Sequence, residues 1–213
     1  MSSNEVERNI ANSFKVVYNT YENVKKLMSF LRGAAEKNGY ICCTDNPITW
    51  RENSNLNKDI YGWAFGRFVM VFRKKDDKEN NEDLREGSLF VLCINLGYFE
   101  STNNKHENET DDIAKIHLAR FDYGKNALPE KYVLWMFDRP IFWKNIMTYL
   151  NKDNYYSYGT RPVSGDYGGL KQVVKCSVPL TEIKSDNAEE KIFEEFNKLS
   201  SLTFEISDTH PPA

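Results

Sequence analysis

The sequence predicts an α+β domain: an antiparallel sheet of about five to six strands, packed by a long N-terminal helix, a short helix near 140–150 and a C-terminal helix. Three observations carry this. Apolar residues near the N-terminus recur at alternating three- and four-residue steps, the spacing of one helix face. From about residue 60 the period falls to two, in runs rich in aromatic and β-branched residues. After residue 186 helical spacing returns. A chain of 213 residues with 40% hydrophobic and 14% aromatic content suits one globular domain spanning 1–213 with a sizeable core. Its 13 Phe, 12 Tyr and 4 Trp fit sheet surfaces better than an Ala/Leu bundle.

The first helix is marked by Phe14, Val17, Tyr21, Val24, Met28, Leu31 and Ala35 on one face, with Lys15, Asn19, Glu22, Lys25, Lys26 and Arg32 on the others. Gly39 follows as a C-cap. A helix laid across a sheet is the expected use of this stripe, and an oligomerisation seam is the alternative. Residues 60–74 read as a long strand that separates Val69 and Val71 from Phe68, Met70 and Phe72. Residues 88–98 are nearly all apolar, as in a central strand covered on both faces. Residues 115–123 and 131–137 read as two more strands, joined in a meander. Asp138 and Pro140 signal the start of a short helix carrying Phe142, Ile146, Tyr149 and Leu150. Residues 172–180 give the last strand, with Pro179 suggesting an edge position. Asp186 and Glu189 stand in capping-box spacing before the stripe Ile192, Phe193, Phe196 and Leu199. Segments 1–8, 75–87, 100–114 and 205–213 are polar and expected to be mobile.

Several function classes lose ground on composition. A net charge of −3 and a pI near 5.7 are no footprint for a duplex nucleic-acid binder. Cys42, Cys43, Cys93 and Cys176 form no C-x-x-C pair and read as free thiols of a reducing compartment. No apolar run approaches the ~20 residues that span a bilayer, and MSSNEVERNIANSF lacks the layout of a secretion signal. A cytoplasmic location is the default expectation. Abundant Asn and Lys with scarce Ala point to an AT-rich, bacterial or phage source.

Catalytic and metal chemistry find little material. His106, Glu107, Glu109, Asp111 and Asp112 lack the spacing and turn glycine of a calcium loop, so solvated loop acids are the better reading and no metal is expected. His117 and Asp122 would leave a strand on opposite faces and cannot pair easily as base and orienting acid. There is no G-x-S-x-G elbow, H-E-x-x-H pair or Walker loop. Gly165, Gly168, Gly169 and Lys171 precede a strand rather than the helix a phosphate loop needs. No cofactor is expected, and the reading leans away from an enzyme.

Two long connections remain. Residues 151–171 lack a clear regular element yet carry Tyr155, Tyr156, Tyr158, Arg161 and Tyr167, residue types enriched in binding hot spots. The competing readings are that these tyrosines cover a sheet edge, or that 155–158 is itself a further strand. Residues 44–59 carry Trp50 beside Arg51, a pair suited to stacking. The expectation is a non-catalytic binding or regulatory module that meets a protein partner through 151–171. A small-ligand or single-stranded nucleic-acid binder using the same aromatics, with Arg67, Arg73, Lys74 and Lys75 nearby, comes second. An enzyme of unrecognised type, using carboxylates such as Asp122 and Asp138, comes third.

Overall fold

The computed structural model describes residues 3–46, 48–50, 67–75, 87–96, 114–137, 156–159 and 169–202. In chain order these form α1 (Ser3–Ala35), β1 (Tyr40–Cys42), β2 (Ile48–Trp50), β3 (Arg67–Lys74), β4 (Ser88–Asn95), β5 (Lys115–Tyr123), α2 (Glu130–Phe137), β6 (Tyr156–Gly159), β7 (Leu170–Pro179) and α3 (Ala188–Ser201). The fold is α+β, as the periodicity predicts.

One antiparallel sheet of seven strands holds these elements together, in the order β1-β3-β4-β5-β7-β6. Strands β3, β4 and β5 form the expected meander, with Val71 opposite Val91 and Val91 opposite Ala119. The three-residue strands β1 and β2 share the outer edge of β3, Cys42 pairing with Phe72 and Ile48 with Val69. Between them the Cys43 N–H still donates to the Val71 carbonyl at 2.8 Å, and the Thr44 hydroxyl accepts from the Val71 N–H. A chain too irregular to alternate cleanly is thus held to the edge by backbone and side-chain bonds, which a period-two search does not see. At the far side β6 pairs only with Gln172–Lys175 of β7. Pro179 lies beyond that pairing, where its missing N–H costs no bond to β6.

Alternation splits the core in two. Phe68, Met70, Phe72, Phe90, Leu92, Ile94, Ile116, Leu118, Val174 and Cys176 point to the face covered by α1 and α3. Val69, Val71, Val91, Cys93, Ala119, Phe121 and Val173 point to the other, where Val133 and Phe137 of α2 pack. On the first face Tyr40, Phe72, Phe90, Phe193 and Phe196 form a ring cluster with centroids 5.2–6.2 Å apart. Each fully buried Phe there removes about 2–3 kcal/mol worth of apolar surface from water. The Tyr40 hydroxyl donates to Asn197 Oδ1 at 3.0 Å, and burial pushes its pKa up to about 12.

Residues 131–137 correct the sequence reading: KYVLWMF is a helix, not a strand. A short apolar run cannot be assigned by period alone. The deciding signal is Pro129, whose carbonyl accepts from the Tyr132 and Val133 N–H groups, followed by Glu130 in the first turn. Val133 and Phe137 then fall one turn apart and face the sheet, with Phe137 edge-on to Phe121 at 5.3 Å. The helix expected at 139–150 lies outside the described residues.

The start of α3 is also corrected. Asp186 and Glu189 form no capping box; Asn187 is the N-cap and makes no side-chain cap. The Asn187 side-chain oxygen instead accepts from the Lys184 N–H, closing the preceding turn. Glu189 reaches sideways to the 3-10 turn Glu36–Asn38 that follows α1, pairing with Lys37 at 2.8 Å and accepting from Asn38 at 2.9 Å. Tertiary pairing wins because it ties two elements that must meet at Tyr40.

The C-terminus of α3 is capped from the sheet. Arg120, 6% exposed in the middle of β5, donates to the carbonyls of Leu199, Ser200 and Leu202. Its other side meets Asp122 at 2.9 Å, and Asp122 accepts from Ser88 at 2.6 Å and from Gln172. A guanidinium fork suits this work, since it serves a carboxylate and several helix-end carbonyls in one plane.

Candidate functional site

Helix α1 is longer than its docking site. Tyr21 touches Phe68 at a 5.7 Å ring distance, and from Val24 onward Met28, Leu31, Ala34 and Ala35 are buried against the sheet and α3. Residues 4–16, by contrast, are all exposed. The apolar stripe does not stop where the sheet does. It runs back through Val17 and Phe14 to Ile10 at unbroken four- and three-residue steps, with Val6 and Tyr18 on its flanks. Val6 is 42%, Ile10 53%, Phe14 60% and Tyr18 64% exposed. Val16 and Phe30, exposed as well, lie off the stripe. One helix face therefore serves as core in its second half and as surface in its first. The sequence signal was present, because the heptad spacing that picks out Phe14 extends one step further to Ile10.

A second grouping is polar and sits on the α2 side of the sheet, at the end away from that helix. The register sets Arg67 of β3 opposite Asn95 of β4, and Asn95 opposite Lys115 of β5. One row in, Cys93, His117 and Ser177 stand side by side, with His117 Nδ1 and Ser177 Oγ 2.8 Å apart. Lys175, fully buried, follows two residues along β7. Burial pushes the Cys93 thiol up to about 12, against a smaller opposing pull from Arg67. This juxtaposition joins residues far apart in sequence, so no linear motif announces it.

Other sites read from the sequence are placed as follows. Tyr156 and Tyr158 lie in β6, opposite Lys175 and Val173; the stretch expected as irregular therefore contains the outermost strand. Trp50 ends β2, opposite Arg67. Edge strands β2 and β6 are five interstrand steps apart, about 24 Å, so Trp50 and the Tyr156–Tyr158 strand do not share one patch. Tyr155, Arg161, Tyr167 and Arg51 lie outside the described residues, as do the acids between 106 and 112 and the segments 76–86, 97–113 and 203–213. His117 and Asp122 occupy opposite faces, each with its own partners. Among the described residues no three His, Cys, Asp or Glu side chains gather as a metal site, and no helix is long and apolar enough to cross a membrane. A groove of about 350 Å³ beside α3 is lined by Asn38, Asp186, Glu189, Glu190, Glu194 and Asn197, its acids facing solvent as a charged helix face does. Comparison with protein-family models, with curated proteins and with solved structures finds no match to this chain.

Proposed function

We propose that this chain is a non-catalytic protein-binding module, and that the first half of α1 is its principal contact surface. The observation that carries the reading is the high exposure of large apolar side chains between Val6 and Tyr18, on a helix whose later stripe packs the core. A helix that presents large apolar side chains at i, i+4 and i+7 has the form of a groove-binding or helix-pairing element. Patches of this kind on a folded chain mark contact sites. Tyr155, Tyr156, Tyr158, Arg161 and Tyr167 are proposed as a second contact region, on residue type and on the outer position of β6.

The test is capture of a partner from extracts of the native host by the immobilised full chain. Changing Ile10 and Phe14 to Glu is expected to abolish capture with little change in melting temperature, since both side chains are more than half exposed. Alanine at Tyr155, Tyr156, Tyr158 and Arg161 is expected to weaken it. A large stability loss in the second variant would show that those side chains are core.

The end of the sheet that carries Arg67 and Lys115 supports a second reading, an anionic ligand or single-stranded nucleic acid held there. Fluorescence titration with oligonucleotides at low and high salt decides it. Two phosphate contacts would give a slope of log affinity on log salt of about −1.4; binding that ignores salt, or no binding, removes it.

A further inference from the structure

We infer that the segment of the partner that meets α1 is acidic, and that it lies along the helix face turned away from the sheet. The inference rests on the protein-binding reading above and adds the partner's charge and the face it takes. The buried line through Val24, Met28, Leu31 and Ala35 fixes which side of α1 looks outward. At about 100° per residue, Arg8, Lys15 and Lys26 fall together on the side opposite that line, and all three are exposed. Among the described residues none of the three is held in an ion pair. Val16 and Phe30, 65% and 46% exposed, stand beside them on the same outer face. Glu22, half-buried at its margin, is the only acid between residues 8 and 35.

Charge complementarity selects the occupant. The whole chain carries a net charge of −3, whereas α1 holds five cations against three acids. A positive helix on an acidic chain attracts an acidic surface and steers its approach. A nucleic acid is the poorer fit. It brings a phosphate every few ångströms, while the three cations are two and three helical turns apart, about 10 and 16 Å. Most phosphates would stay unpaired and would face Glu22 on a negatively charged chain. An amphipathic acidic helix answers the pattern instead. Its carboxylates, seven and eleven residues apart on one face, reach Arg8, Lys15 and Lys26, and apolar residues beside them cover Val16 and Phe30. The charge pairs lie at the rim and set the rate of encounter, while the two apolar contacts slow release.

Fluorescence anisotropy of the full chain with labelled helical peptides of about 24 residues tests this. One peptide carries three Glu spaced seven and eleven residues apart on one face, flanked by Leu. A second has the same composition with the Glu spread around the helix. The first is expected to bind about 10-fold tighter than the second, and to weaken several-fold between about 50 and 300 mM NaCl. Changing Arg8, Lys15 and Lys26 together to Gln is expected to weaken it about 10-fold, with the melting temperature nearly unchanged because all three are exposed. Val16→Ser with Phe30→Ser should weaken it as well, and Lys184→Gln, exposed ahead of α3, should leave it unchanged. No binding of the first peptide, equal binding of the two, or indifference to the triple variant overturns the inference. So does tighter binding of an oligothymidylate or of vesicles containing phosphatidylserine, which would assign the face to a nucleic acid or a membrane. If Ile10→Glu with Phe14→Glu abolishes partner capture while the triple variant leaves it intact, the acidic partner falls and the protein-binding reading stands. If neither set of α1 variants alters capture, both fall.

Discussion

Replacing Arg120 by Ala removes the group that joins the centre of the sheet to the end of α3. Three helix-end carbonyls, at Leu199, Ser200 and Leu202, lose their donor, and Asp122 keeps Ser88 and Gln172 but loses its counter-charge. The pair is 8% and 17% exposed at its side chains, so water cannot freely replace what is lost. Removing one member of a buried, hydrogen-bonded pair costs about 3–5 kcal/mol. The gross value of the individual bonds is larger, and part returns as the α3 terminus frays into solvent. Urea denaturation followed by tryptophan fluorescence measures the loss. With a slope near 2 kcal/mol/M, the midpoint is expected to fall by roughly 1.5–2.5 M. Arg120→Lys should recover less than half, because an ammonium cannot serve the carboxylate and the carbonyls together. A loss below about 1 kcal/mol, the size of a solvent-exposed pair, would refute the capping role.

Gly169 has φ +83, and a Cβ there would meet the Ala127 backbone at 2.6 Å and the Asn126 carbonyl oxygen at 2.9 Å; Gly169→Ala is expected to cost about 2–4 kcal/mol by thermal or urea melting. Gly39→Ala, at φ +80 in open space, should cost only about 1 kcal/mol, and equal losses would contradict the steric account. The hydrogen bonds from Lys37 and Asn38 hold the Glu189 carboxyl below its ordinary pKa. Its contribution is therefore present above the unfolded value and lost as pH falls through the lowered one. Glu189→Gln should narrow the pH dependence of the melting temperature on that acid limb, and an unchanged profile would refute the pairing. With its pKa near 12, Cys93 should resist thiol reagents at pH 8 in the native protein and react once the chain is unfolded in urea; rapid native labelling would contradict its burial.

The sheet was legible where alternation or continuous apolarity was strong. Phe68, Met70 and Phe72 separate from Val69 and Val71 as the pattern requires, and Ser88–Asn95 is covered on both faces. Helix α3 was equally clear from Ile192, Phe193, Phe196 and Leu199. Legibility failed where a few residues could satisfy two periods at once. Residues 131–137 read as a strand until Pro129 and Glu130 are given weight as a helix start. The strands at Tyr40–Cys42 and Ile48–Trp50 are too short to show a period, and only β3 gives them partners. The candidate surfaces divide in the same way. The exposed half of α1 was encoded in the heptad spacing, but which half would be covered depends on the length of the sheet beneath it. The grouping of Arg67, Lys115, His117 and Lys175 depends on register alone.

The central claim, that one stripe of α1 is core in its second half and exposed surface in its first, is tested most directly by amide hydrogen exchange along the helix. At about 1 μM, residues 24–35 should be protected by the sheet, whereas residues 4–19 should exchange orders of magnitude faster, as an isolated helical segment does. Equal protection of both halves in dilute solution would show that the chain already covers its own stripe, and would contradict the account.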